Sequence, residues 1–207
     1  RPDMRHIRPD DVTDLAALLE QQEYADVEFN IEGNPYAGPE GDYPGFMQLV
    51  EATRPAQATL VPDDPNQLTS DHGWDLRGES NELQGIVTQL QDWGSRVSLF
   101  MDPDGDQIRR AARLGVERIE LYTGPYADTY GTPDGDAIFR SFHAAAEVAA
   151  DAGLVLNAGH DLNLDNLAKF ATVPGLAEVS IGHAIISDAV FRGLTAVVSD
   201  YSALLNA

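Results

Sequence analysis

Six short apolar runs, each followed by a polar turn and an amphipathic stretch, govern what this chain can fold into. They cover residues 27–32, 58–61, 96–101, 118–122, 154–158 and 178–181. Short, mostly apolar runs suit strands covered on both faces, and such strands alternating with helices build parallel βαβ units. The stretches between them carry helical periodicity. Val12, Leu15, Leu18 and Leu19 share one face behind a cap at Asp10 or Asp11, and Phe46, Leu49 and Val50 follow in a second helix. Ile86, Val87 and Leu90 form the buried side of a helix over 83–90. A helix over 107–114 has Gly115 as its C′ residue. Ile138, Phe142, Ala145 and Ala149 line a long helix ended by Gly153, and Leu164, Leu167 and Phe170 a short one. Val190, Leu194, Val197, Val198 and Tyr201 belong to one final helix.

A closed (β/α)8 TIM barrel needs eight strands and about 250 residues. Six units in 207 residues predict an α/β chain that is one TIM-barrel domain over 1–207. Roughly the first two strands are then missing, so the domain is incomplete at its N-terminus. An open, doubly wound sheet that is complete as it stands is the alternative.

Charge narrows the partners. With 34 acidic and 13 basic residues the formal net charge is -21, which repels nucleic acid and anionic membrane. Anions can still bind at helix N-termini through backbone N–H groups. With no cysteine there is no disulfide, thiolate nucleophile or Cys-based metal site. The sequence shows no charged-then-apolar leader and no long apolar run, so a cytoplasmic location is expected. Lys169 is the one lysine, so an enzyme Schiff base would have to use it.

In βα barrels the chemistry sits at the C-terminal ends of the strands. The polar residues there are Glu32, the loop from Thr69 to His72, Asp102, Glu120 with Thr123, His160, and Gly182 with His183. A carboxylate at the end of the first run is either a desolvated general base or a structural partner of an arginine. His160 follows Asn157-Ala158-Gly159, where small residues allow close approach. It is either a proton donor near neutral pH or a histidine satisfied by a carbonyl. Gly182-His183 stands where barrels often bind phosphate, although a plain strand-to-helix turn would look the same. The stretch from Pro62 to Asp75 is long for a βα connection and reads as a lid or a surface insertion, with Trp74 and Leu76 packing its far end. No ligand spacing of the H-E-x-x-H kind, no G-x-G-x-x-G after a strand and no G-x-S-x-G elbow occurs.

Taken in order, several segments resemble the pyridoxine 5′-phosphate synthase family of the deoxyxylulose-dependent vitamin B6 pathway. They are Arg1-Pro2-Asp3-Met4-Arg5-His6-Ile7, Asn30-Ile31-Glu32-Gly33-Asn34-Pro35, Leu60-Val61-Pro62 and Leu68-Thr69-Ser70-Asp71-His72-Gly73-Trp74-Asp75-Leu76. Beyond these come Val97-Ser98-Leu99-Phe100-Met101-Asp102, Tyr122-Thr123-Gly124-Pro125-Tyr126-Ala127, Leu156-Asn157-Ala158-Gly159-His160-Asp161-Leu162 and Ile181-Gly182-His183-Ala184-Ile185-Ile186.

The resemblance implies condensation of 1-deoxy-D-xylulose 5-phosphate with 3-amino-2-oxopropyl phosphate to pyridoxine 5′-phosphate, phosphate and water, without metal or other cofactor. It implies Glu32 as general base and His160 as general acid. Arg1, His6 and Thr69 would contact the deoxyxylulose phosphate, and Asp161, Gly182 and His183 the aminoketone phosphate. Some members have glycine at the Asp161 position, so that contact would come from backbone. The Thr69 loop would be the lid, and the assembly a homo-oligomer, commonly an octamer. The family also carries an Asn-x-Asp-His strand, a helix with a phosphate-binding arginine and a catalytic histidine, all before the position of Arg1. Two other readings fit the residues alone. One is a partial barrel that binds phosphorylated ligands without turnover, and the other is a different phosphate-binding barrel isomerase or synthase.

Overall fold

Alternation of strand and helix is what the computed structural model shows, and it describes residues 1–64 and 67–206. The chain divides into two compact units, Arg1–Phe100 with Arg110–Arg118, and Met101–Arg109 with Ile119–Ala207. In the first unit lie α1 (Pro9–Leu19), β1 (Asn30–Gly33), α2 (Phe46–Thr53), β2 (Gln57–Leu60), α3 (Asn81–Asp92) and most of β3 (Arg96–Met101). Helix α4 (Gly105–Arg113) draws on both segments. The second unit holds nearly all of β4 (Arg118–Tyr122), and then α5 (Gly124–Thr129), α6 (Gly135–Asp151), β5 (Val155–Gly159), α7 (Leu167–Phe170), β6 (Leu176–Ser180), α8 (His183–Arg192) and α9 (Leu194–Leu205).

In the first unit β1 pairs in parallel with β2, and β2 with β3, in chain order. Every residue of β2 is buried, and β3 is buried from Val97 to Met101. A strand covered on both faces needs no alternating polar side, so β3 is apolar but for buried Ser98 after Arg96, and β2 buries Gln57 and Thr59 beside Ala58 and Leu60. In the second unit β5 pairs in parallel with β6. Thr123, just past β4, donates its N–H to Gly159 O at the end of β5 (2.9 Å). The chain is thus an α/β fold with parallel strands, as expected.

Each unit has its own core. Val50, Ala58, Leu60, Val87, Leu90, Val97 and Leu99 are fully buried in the first. In the second, Tyr126 packs against Phe142 and Phe170, with ring centroids 6.2 and 5.1 Å away. Of the helix faces read from the sequence, Val87 and Leu90 are buried, as are Phe142, Ala145 and Ala149, whereas Ile86 and Ile138 are half-buried. Gly115 (φ +86°) and Gly153 (φ +77°) end their helices in the left-handed conformation that a C′ glycine adopts without strain.

Four expectations need correcting. Helix α1 starts at Pro9, whose fixed φ suits a first turn, so Arg8 is its N-cap rather than Asp10 or Asp11. Asp11 instead accepts the Arg8 N–H at its carboxylate (3.1 Å). Only Val12 of its apolar face is buried, and Leu15 and Leu18 are each 39% exposed. The first strand begins at Asn30 rather than 27, because Val27 N–H closes a turn onto Tyr24 O (2.8 Å). Finally, one C-terminal helix becomes two. Gly193, at φ 82° and ψ 140°, sits in backbone space reserved for glycine and breaks the run. Val197 and Tyr201 of α9 are buried, whereas Val190 of α8 is 76% exposed, so no single buried face spans them. Gly193→Ala should lower stability by about 1–3 kcal/mol, read from the urea unfolding midpoint, because alanine pays steric strain at that φ.

Candidate active site

The strand ends of the first unit gather around Asp63. β1 carries Glu32 to its C-terminal end. A Cβ at Gly33 would lie 2.5 Å from the Phe46 ring, so only glycine lets α2 pack this close behind the strand end. Asn34 then folds the chain over: its Oδ1 accepts Tyr36 N–H (2.8 Å) and its Nδ2 donates to Asp63 O (2.7 Å). Glu32 keeps a solvent-accessible face. Even so, its carboxyl is pushed up to about 7, first by burial and second by the negative charge of Asp63. A glutamate that titrates there can take a proton near neutral pH.

Arg1 reaches the same place. Its Nη1 lies 3.0 Å from Asp63 Oδ2, and its Nη2 donates to Gln67 O. Arg5 donates to Leu68 O (3.0 Å), so the N-terminal segment is laced onto the loop that carries Thr69. Within that loop Gln67 Nε2 bonds Thr69 O (2.9 Å) and Asp71 Oδ1 (2.6 Å), while Ser70 Oγ donates to Asp63 Oδ2 (2.8 Å). His6 and His72 are exposed. The His6 imidazole is held below its ordinary value, by burial first and then by Arg1 and Arg5. Trp74 anchors the far end of the loop through its N–H to Phe100 O (2.9 Å) and its indole N–H to Leu60 O (2.8 Å), and Leu76 is buried, as the sequence suggested. Residues 65 and 66 of the stretch from Pro62 to Asp75 lie outside the described residues.

In the second unit β5 delivers His160. His160 (φ 85°) and Asp161 (φ 57°) both have positive φ, and two consecutive non-glycine residues there mark a backbone held by its surroundings. The holders are visible. Thr123 Oγ1 shares its one proton between Gly159 O (2.7 Å) and His160 O. Asn166 Nδ2 donates to Asp161 O (3.1 Å), and buried Tyr126 in turn donates to Asn166 O (2.7 Å). The aromatic core under α5 and α6 thereby supports the turn that presents the imidazole. The imidazole meets Tyr122 edge-on with centroids 5.3 Å apart, and its Nδ1 is 3.5 Å from Asp161 Oδ2. The positive φ of Asp161 is one that glycine adopts freely, which suits a position where glycine can substitute.

Gly182 is the N-cap of α8 and exposed His183 its first residue. The N–H groups of that first turn lack partners within the helix, the usual basis of an anion site. Lys169 is half-buried and bonds exposed Asp136 at Oδ1 (2.5 Å). Among the described residues no group of three or more His, Asp or Glu is placed to hold a metal ion, and no helix is long and apolar enough to cross a membrane.

Two acidic residues are more prominent than the sequence suggested. Asp63 was visible only as part of a polar turn. Its signal was its place just past the second apolar run. Glu120, on β4, is buried, receives Ser180 Oγ at 3.2 Å, and would meet a Cβ on Gly159 at 2.1 Å. Gly159→Ala should therefore displace Glu120 and cost about 1–3 kcal/mol in urea unfolding.

The profile of the family described as "Pyridoxal phosphate biosynthesis protein PdxJ" matches residues 1–207. A relative from Xanthomonas axonopodis pv. citri (strain 306), named pyridoxine 5′-phosphate synthase, is 54% identical over 206 residues, 99% of this chain and 80% of its own length. Another of that name, from Xylella fastidiosa (strain 9a5c), is 49% identical over 207 residues, 100% of this chain and 78% of its own length. A solved structure described as "Structural study of Project ID from Aquifex aeolicus VF5" shares the fold with TM-score 0.62 at 14% identity, covering 97% of this chain and 70% of that one. A match along the whole chain, with relatives close to half identical, shows that this chain belongs to the PdxJ family of pyridoxal phosphate biosynthesis proteins.

Proposed function

We propose that this protein is a pyridoxine 5′-phosphate synthase that condenses 1-deoxy-D-xylulose 5-phosphate with 3-amino-2-oxopropyl phosphate. The products are pyridoxine 5′-phosphate, inorganic phosphate and water. The observation that carries this reading is 54% identity to a synthase of that name across 99% of the chain.

In this reading Glu32 takes protons from the condensing carbon skeleton and His160 gives them to departing oxygen. The raised Glu32 carboxyl supports its role, because a base poised near 7 is partly ionised at neutral pH and still strong enough to accept a proton. The supported turn at His160 favours a fixed donor position. Arg1, His6 and Thr69 bind the deoxyxylulose phosphate. The backbone at Asp161, Gly182 N–H and His183 bind the aminoketone phosphate, the last two at the start of α8. The loop of Thr69 closes over the site as a lid.

The amine that forms the imine comes from a substrate, so Lys169 is free to stay at the surface. Dehydration, proton transfer and loss of phosphate ask for an acid, a base and anion sites, in line with this residue set. The six βα units are read as the consecutive part of a single (β/α)8 barrel domain whose other two strands precede them. The enzyme works in the cytoplasm as a homo-oligomer, an octamer in the family. Incubating the full-length gene product with both substrates should yield pyridoxine 5′-phosphate and phosphate, detected by chromatography. Absence of both products would overturn the assignment.

A further inference from the structure

Three separate pieces of the first unit meet on one buried side chain. Asp63 is 7% exposed. Its Oδ2 accepts Arg1 Nη1 at 3.0 Å and Ser70 Oγ at 2.8 Å, while its carbonyl accepts Asn34 Nδ2 at 2.7 Å. The N-terminal segment, the Thr69 loop and the exit of β1 are thus tied together at a single residue. Its other oxygen, Oδ1, is buried with no hydrogen-bond partner among the described residues. A buried carboxylate with one oxygen unsatisfied is costly to keep, and a purely structural tie has a cheaper solution in a neutral side chain.

We propose that Asp63 is a positioning residue of the reaction: its carboxylate holds Arg1 and the Ser70 end of the loop in register and stands as the fixed negative charge beside Glu32. This rests on the roles given above to Glu32 and Arg1. One residue then sets the substrate-binding guanidinium, the loop and the base together. When the loop shifts at Ser70, Asp63 loses a donor, and the change is felt at Arg1, while the charge beside Glu32 stays. The charged groups facing the pair are Asp63 and Glu32 on each other and the Arg1 guanidinium on Asp63. The guanidinium pairs with Asp63, and the Glu32 carboxyl stays raised beside them.

The test compares Asp63→Asn and Asp63→Glu in the full-length protein, with kcat/KM followed against pH. Asparagine keeps size and an acceptor but removes the charge. Glu32 then loses a like-charged neighbour and ionises more readily, so the acid limb of the profile moves to lower pH. KM for deoxyxylulose phosphate rises about tenfold as Arg1 loses its charged partner. Asp63→Glu restores the charge and returns the limb towards the wild-type position.

A limb in Asp63→Asn that superposes on wild type, or one in Asp63→Glu that moves equally far, overturns the proposal. If circular dichroism shows Asp63→Asn unfolded, Ser70→Ala replaces it. There KM rises while the limb stays, and an unchanged KM or a moved limb counts against the idea. If the wild type makes no product at all, the synthase reading fails and the coupling is read without turnover. The Glu32 carboxyl is followed by carbon NMR, identified by its loss in Glu32→Gln. Its titration should move to lower pH in Asp63→Asn, and coincident titrations would overturn the proposal.

Discussion

Glu32→Gln should lower turnover by about a hundredfold or more while leaving the fold intact. Glutamine keeps the shape and can still accept a hydrogen bond, but it cannot take a proton. The wild-type profile should lose activity as pH falls through about 7, where Glu32 becomes protonated. The same substitution has a second signature, in stability. An ordinary glutamate loses its proton near 4.3 in an unfolded chain. The folded chain keeps that proton until about 7, so between these values the native state binds more protons than the unfolded state. Stability contributed by the protonated group is therefore full at low pH and is lost as pH rises through the folded value. Glutamine resembles the protonated acid and escapes that loss. Its melting temperature should match wild type at pH 4 and exceed it at pH 8. A variant that is slow yet more stable at pH 8 has lost a base rather than its fold. Near-normal turnover in Glu32→Gln would remove Glu32 from the mechanism.

His160→Asn carries the second large effect, again about a hundredfold or more in turnover. Asparagine is the informative replacement because the backbone at 160 has φ 85°. Asparagine is among the few non-glycine residues that tolerate positive φ, so the carbonyl bonded by Thr123 should stay in place. What disappears is the imidazole, with its edge contact to Tyr122. Unfolding midpoints close to wild type beside a large loss of turnover would identify the ring as the reacting group. A midpoint that falls with activity, or activity that survives, would return His160 to a structural role.

Strand and helix order was legible because burial dictates it. β3 could be placed at 96–101 from sequence since a strand covered on both faces cannot hide its composition. The same logic located Glu32 and His160, which interrupt small or apolar residues where strands end. Helix ends were legible where glycine does a specific backbone job, as at Gly115 and Gly153. The break at Gly193 was missed because the apolar spacing continues across it, and periodicity records side chains rather than φ.

Sequence by itself therefore determined the element order, the parallel α/β class and the positions at which polar groups emerge from the strands. Those features depend on neighbours a few residues apart, whose hydrophobicity and backbone preference are written locally. Tertiary structure alone decided that Asp63 stands beside Glu32 and holds both Arg1 and Ser70. It alone decided that Thr123 and Asn166 brace the turn at His160. Proximity between residues dozens of positions apart is set by how strands pair and helices pack, and so is the electrostatic environment that raises the Glu32 carboxyl. That environment comes from desolvation and from a neighbour's charge, and neither exists until the chain has folded.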